Sequence, residues 1–231
     1  MQLTNLSNES DHYRQAREDL QLAEIELMRQ REHVAEMRRA LPRGPTVPDY
    51  EFIEAVPAGS GTEAARTVRM HELFSSPGRP LIIYHLMFGK RQTVPCPMCT
   101  MWIDGFNGIA RHVLASADFV VVAAAGVGHL KEHAEQRGWD GIRVLSAGDS
   151  SFKVDLGSED VEGNQDSRVS VFMRDPDGAV RHTYTGAPRM SDDIDQRGID
   201  LLCPSWHLLD LTPVGRGDFF ASLDYASQPI G

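Results

Sequence analysis

The stretch 81–108, LIIYHLMFGKRQTVPCPMCTMWIDGFNG, constrains the fold of this chain more than any other. Residues 81–88 are apolar on both faces, which predicts a central strand covered by helices. A short polar turn follows. Cys96 and Cys99 then lead into residues 97–116, which read as a helix. A strand that hands a C-x-x-C pair to the first turn of a helix is a redox-site layout.

The spacing carries the chemistry. Two cysteines three apart on a first helical turn put both sulfurs on one side, where they can approach for a disulfide. The unsatisfied N–H groups of a helix N-terminus stabilise a thiolate and lower its pKa. Pro97 suits the first helical position, where no backbone donor is needed. Cys96 is then the more exposed attacking thiol, and Cys99 the more buried resolving thiol. Thr93 precedes the pair; Trp102 and Asp104 follow it on the helix. Asp104 would either accept a proton from the buried thiol or face water. Arg197 would stabilise a thiolate if the segment 186–200 folds over the site.

Metal ligation is the competing chemistry. Cys203 and His207 lie four apart in CPSWH. With Cys96 and Cys99 they would complete a Cys3His set of the kind Zn²⁺ accepts. His85 is a fifth candidate. Met87, Met98 and Met101 are soft donors that would favour Cu(I). Thiol–disulfide exchange itself requires no cofactor.

The remaining elements arrange themselves around that stretch. Residues 11–40 are charged and rich in helix formers, with Tyr13, Leu20, Leu27, Val34 and Leu41 recurring every seven positions. Ala16, Ala23, Gln30 and Met37 fill the intervening seam positions, so the helix is read as an arm for a homodimer or as a helix packed on its own domain. Short strands are expected at 49–56 and 67–74, the second turning into one helical turn. Residues 119–125 read as a buried strand, 128–137 as a helix stopped by Gly138, and 141–145 as a short strand. Residues 168–173 and 179–184 read as a hairpin across Asp175-Pro-Asp-Gly178. Residues 206–211 read equally as strand or docked helix.

A formal net charge of -10 argues against nucleic acid and against anionic membrane surfaces. No apolar run approaches the roughly 18 residues of a membrane span, and the N-terminal residues lack the pattern of a secretory signal. These features predict a cytoplasmic protein. Its partner would be a thiol or a disulfide, carried on a protein or a small molecule.

Several motifs together resemble one family. YHLMFG at 84–89, CPMCTMWIDGFNG at 96–108, VFMRDPDG at 171–178, RGID at 197–200 and LLDLTPVGR at 208–216 look like the thioredoxin-like proteins grouped as DUF899. The charged helix ending in RRALP at 38–42 does so too. The resemblance implies an α/β, thioredoxin-like fold: a mixed sheet flanked by helices, with a long N-terminal helical arm. Read from the residues themselves, the chain divides into an arm at 1–42, a linker and short strands joining the core at 43–79, a thioredoxin-like domain at 80–220 and a mobile tail at 221–231. The resemblance implies no particular reaction, because the family is one of unknown function. Pro-Met stands between the cysteines where thioredoxins carry Gly-Pro, and Ser167-Arg168 stand where thioredoxins place a cis-Pro. A narrow thiol–disulfide oxidoreductase, a metal binder and a non-catalytic interaction module all fit such a scaffold. Thr93-Val-Pro-Cys96-Pro97 also resembles the T-x-x-C segment of peroxiredoxins, whose Thr helps hold peroxide; Gly89 stands where they carry Pro.

Overall fold

The computed structural model describes residues 7–56, 65–187 and 202–225. The chain divides into two compact units, residues 1–43 and 44–231.

The first unit is one helix, α1 (Asp11–Arg39). Ser10 caps it, its hydroxyl accepting the Tyr13 amide proton at 3.2 Å. Arg38 and Arg39 sit in the last turn, where the helix dipole favours cations. No residue of α1 is buried. Tyr13, Leu20, Leu27 and Met37 of the heptad seam are each more than half exposed.

The second unit is built on one seven-stranded sheet. Its strands are β1 (Glu51–Ala55), β2 (Ala65–Arg69), β3 (Leu81–His85), β4 (Asp118–Ala123), β5 (Arg143–Ser146), β6 (Arg168–Arg174) and β7 (Val180–Gly186). The order is β2-β1-β5-β4-β3-β6-β7. β3, β4 and β5 run parallel. The outer strands are antiparallel, so the sheet is mixed. The helices are α2 (Pro97–Val113), α3 (Val127–Arg137), α4 (Phe152–Asp155) and α5 (Pro204–Asp210). No helix among the described residues is long and apolar enough to cross a membrane.

Local signals explain most boundaries. Gly138 ends α3 in the left-handed region at φ 66°, which a side chain would strain. Gly178 closes the β6–β7 hairpin at φ 91°. Pro204 opens α5 from its first turn, which settles the 206–211 segment as helix. The ladder of β3 stops at His85 rather than running to Phe88. There the Phe88 amide turns back onto the Leu86 carbonyl at 2.9 Å, a γ-turn with Met87 at its apex.

Two cores lie on the two faces of the sheet. Tyr84, Trp102, Ile103, Phe106, Phe119 and Val121 fill the face covered by α2. Tyr50, Phe52, Leu81, Ile83, Phe152 and Phe172 fill the other. β3 feeds both by alternation: Ile82 and Tyr84 point one way, Leu81 and Ile83 the other. The two strands read at 49–56 and 67–74 belong to this same sheet, with β1 pairing to β5. A Cβ on Gly105 would meet Pro204 of α5 at 3.3 Å, and one on Gly108 would meet open space.

The outer edge of β7 is occupied by residues 44–47. Val47 donates to the Val180 carbonyl at 2.9 Å, and His182 donates to the Pro45 carbonyl at 3.0 Å. Gly44 passes so near His182 that a Cβ would fall 1.9 Å from its carbonyl oxygen.

Candidate functional site

Cys96 closes the loop after β3 and caps α2. Its φ of −62° and ψ of 124° are extended, and Pro97 takes the first helical position as expected. Its amide donates to the Met87 carbonyl at 3.0 Å, and its carbonyl accepts the Thr100 amide at 3.0 Å. The Thr100 hydroxyl adds a third tie at 3.1 Å. Cys96 is left half-buried. Cys99, one turn on, is 1% exposed. Both are free thiols.

The two sulfurs are electrostatically unequal. The Cys99 thiol donates to Cys96. With the amides of Cys99 and Met98 it outweighs burial and brings the Cys96 thiol from 9.0 to about 6. Cys99 moves the other way, pushed well up by burial and then by the charge on Cys96. At neutral pH the pair therefore carries one proton, held by the inner sulfur. The Tyr84 hydroxyl and the Met87 amide work against the rise at Cys99.

Tyr84 is fully buried, and its hydroxyl faces Cys99 and Ser167 without completing a hydrogen bond. An unsatisfied buried hydroxyl costs about 1–3 kcal/mol. A thiolate at Cys99 is the acceptor that would relieve it. Nothing in the apolar run LIIYHL marks this tyrosine as part of a site. Lys153, buried in α4 with its ammonium on the Leu86 carbonyl at 3.0 Å, was equally invisible.

The other candidates fall in different places. Trp102 is buried edge-on to Tyr84, ring centroids 6.1 Å apart. Thr93 is exposed on a cleft of about 310 Å³, whose wall also holds Pro95, His129 and His133. Asp104 is half-buried. It binds the Arg137 guanidinium and accepts from Trp139 Nε1 at 2.8 Å, tying α2 to α3. Arg197 lies outside the described residues.

The metal set is not assembled. His85 sits on the far face of the sheet, its ring stacked 5.0 Å from Phe152. Its Nδ1 meets Ser158 at 2.7 Å and its Nε2 meets Ser170 at 3.0 Å. Burial, then the nearby Lys153 charge, holds it neutral. Cys203 is buried in the same core as Cys99, with the Trp102 indole and Ser205 beside its sulfur. His207 leaves its Nε2 buried and without a partner. Among the described residues no three His, Cys, Asp or Glu side chains converge on one point.

Solved structures that share this fold include peroxiredoxins. The Plasmodium falciparum antioxidant protein, a 1-Cys peroxiredoxin, matches at TM-score 0.50 and 14% identity, over 69% of this chain and 95% of its own. Mycobacterium tuberculosis AhpC matches at 0.48 and 15%, over 75% and 97%. Reduced Prx3 from Vibrio vulnificus, in complex with H2O2, matches at 0.47 and 17%, over 71% and 98%. The likeness is one of fold, and the fold is thioredoxin-like. No curated protein matches the chain. The family model described as "Bacterial protein of unknown function (DUF899)" covers residues 2–227, and to that family this chain belongs.

Proposed function

We propose that the protein is a thiol–disulfide oxidoreductase working through Cys96 and Cys99. One observation carries the reading: two free thiols in contact at the start of a 17-residue helix, one reachable and acidic, the other buried and basic. That asymmetry suits a two-step exchange. The Cys96 thiolate attacks a substrate disulfide, forms a mixed disulfide and expels a substrate thiolate. Cys99 then loses its proton to solvent and attacks the Cys96 sulfur. The Cys96–substrate bond breaks, and its electron pair leaves on the second substrate sulfur. The protein pair is oxidised by two electrons, and an external dithiol returns it to the reduced form. The exchange needs no metal, and a reducing compartment such as the cytoplasm would keep the pair in its thiol form.

Alkylation by iodoacetamide tests the first step. The rate at Cys96 is expected to be half-maximal near pH 6 and to fall about tenfold per pH unit below it. A midpoint near 8.5 would count against the reading. Supplying a small disulfide and hydrogen peroxide separately distinguishes exchange from peroxidase chemistry; faster oxidation of the pair by the disulfide is expected.

For α1 we propose a second copy of the same arm as the partner. Its seam is exposed, its first half carries more acidic than basic residues and its last turns carry Arg38 and Arg39. Two arms side by side in opposite directions therefore set unlike charges against each other. The full-length protein is expected to sediment as a dimer, and Leu20→Glu with Leu27→Glu as a monomer. An unchanged sedimentation coefficient would remove the arm from the interface.

A further inference from the structure

Lys153 is fully buried, yet no carboxylate binds it among the described residues. A buried ammonium is costly without a compensating negative charge. Its hydrogen bond to protein runs to the Leu86 carbonyl at 3.0 Å. That carbonyl begins the γ-turn that ends β3 and also accepts the Phe88 amide at 2.9 Å. The same peptide group ends in the Met87 N–H, which faces the Cys99 sulfur. Met87 in turn accepts the Cys96 amide at 3.0 Å. One peptide group thus has an ammonium on its oxygen and the inner sulfur on its N–H.

The surroundings leave Cys99 as the natural counter-charge. Glu159 and Asp166, on the loop after α4, act on Lys153 through space alone. Asp166 is exposed and already holds the Arg168 guanidinium at 3.3 Å. From β3, His85 is neutral and Tyr84 keeps its proton. Cys99, on α2, is the remaining group that gains a negative charge during exchange, and its charge acts on Lys153.

We propose that Lys153 is the positioning residue for the resolving thiol: through the Leu86–Met87 peptide it stabilises the Cys99 thiolate as that thiol ionises to attack Cys96. This rests on the reading of Cys96 and Cys99 as an exchange pair. A hydrogen-bonded cation polarises the peptide and strengthens the N–H at its other end. The same effect lowers the barrier when Cys99 deprotonates and attacks Cys96. The ammonium itself is weakened by burial, its pKa falling from 10.5 to about 8, so the assistance fades as pH rises past that value.

The test compares the full-length protein with Lys153→Met and Lys153→Gln. The glutamine retains a donor for the Leu86 carbonyl without the charge. Resolution of a preformed Cys96 mixed disulfide is read by stopped flow at pH 7. Both variants are expected to slow resolution by about tenfold or more. Alkylation of Cys96 near pH 6 should stay as in the parent. Above about pH 8 the difference between parent and variants should shrink. If only the methionine variant is slowed, Lys153 is a clamp on the γ-turn, and the charge argument is overturned. If both fold and neither is slowed, the proposal is wrong while the exchange reading stands. If the parent forms no reversible disulfide at all, the exchange reading itself has failed.

Discussion

Cys96→Ser is expected to fold normally and to lose disulfide exchange by on the order of a thousandfold or more. A serine hydroxyl at the cap of α2 keeps the hydrogen bonds of the backbone but ionises far above neutral pH. Cys99 cannot replace it, because the inner thiol is buried and its pKa is driven up. Cys99→Ser should behave differently. It retains the attacking thiolate, so the first step survives and a mixed disulfide accumulates, visible as a mass increment on the intact protein. The two variants together assign the roles. A Cys96→Ser protein with full exchange activity would end the reading. If it also kept every biological effect of the parent, the scaffold would be an interaction module.

Phe152→Ala should be the most damaging single change in the core opposite the thiols. The ring is fully buried and meets Tyr50 at 5.2 Å, Phe52 at 5.1 Å, His85 at 5.0 Å and Phe172 at 6.2 Å between centroids. It thereby joins α4 to β1, β3 and β6. Removing such a ring costs about 3–5 kcal/mol, from lost transfer energy and an incompletely closed cavity. Urea unfolding should show a lower midpoint with an unchanged slope. A loss under about 1 kcal/mol would mean the aromatic cluster closes over the gap. The neighbouring residue is Lys153, so loosening α4 should also disturb the thiol pair at a distance.

The sequence announced the thiol site and hid its supports. Pro97 after Cys96, Gly138 after α3 and Asp175-Pro-Asp-Gly178 are local signals, and each stands where its chemistry requires. The strand 81–85 and the strand 118–123 were legible because continuous apolar runs have few other uses in an α/β chain. α4 was not legible: four residues, with no period to detect and no signal that a lysine would turn inward. The partners of Asp104 were not legible, because Arg137 and Trp139 stand 33 and 35 positions further on. His85 and Cys96 share a stretch of sequence yet lie on different faces of the sheet. That separation follows from strand alternation, which puts Tyr84 toward α2 and His85 toward Phe152.

The strip at 44–47 has a consequence for how this molecule can associate. An uncovered edge strand offers its amides and carbonyls to any passing extended chain. Beside β7 that offer has been taken up by the chain's own segment, and no residue but glycine fits where it passes His182. The opposite edge, β2, carries Arg66 and Arg69, whose charges discourage a flat apolar neighbour. The strip covers the start of β7 and basic residues stand on β2, and both oppose growth of the sheet by self-addition.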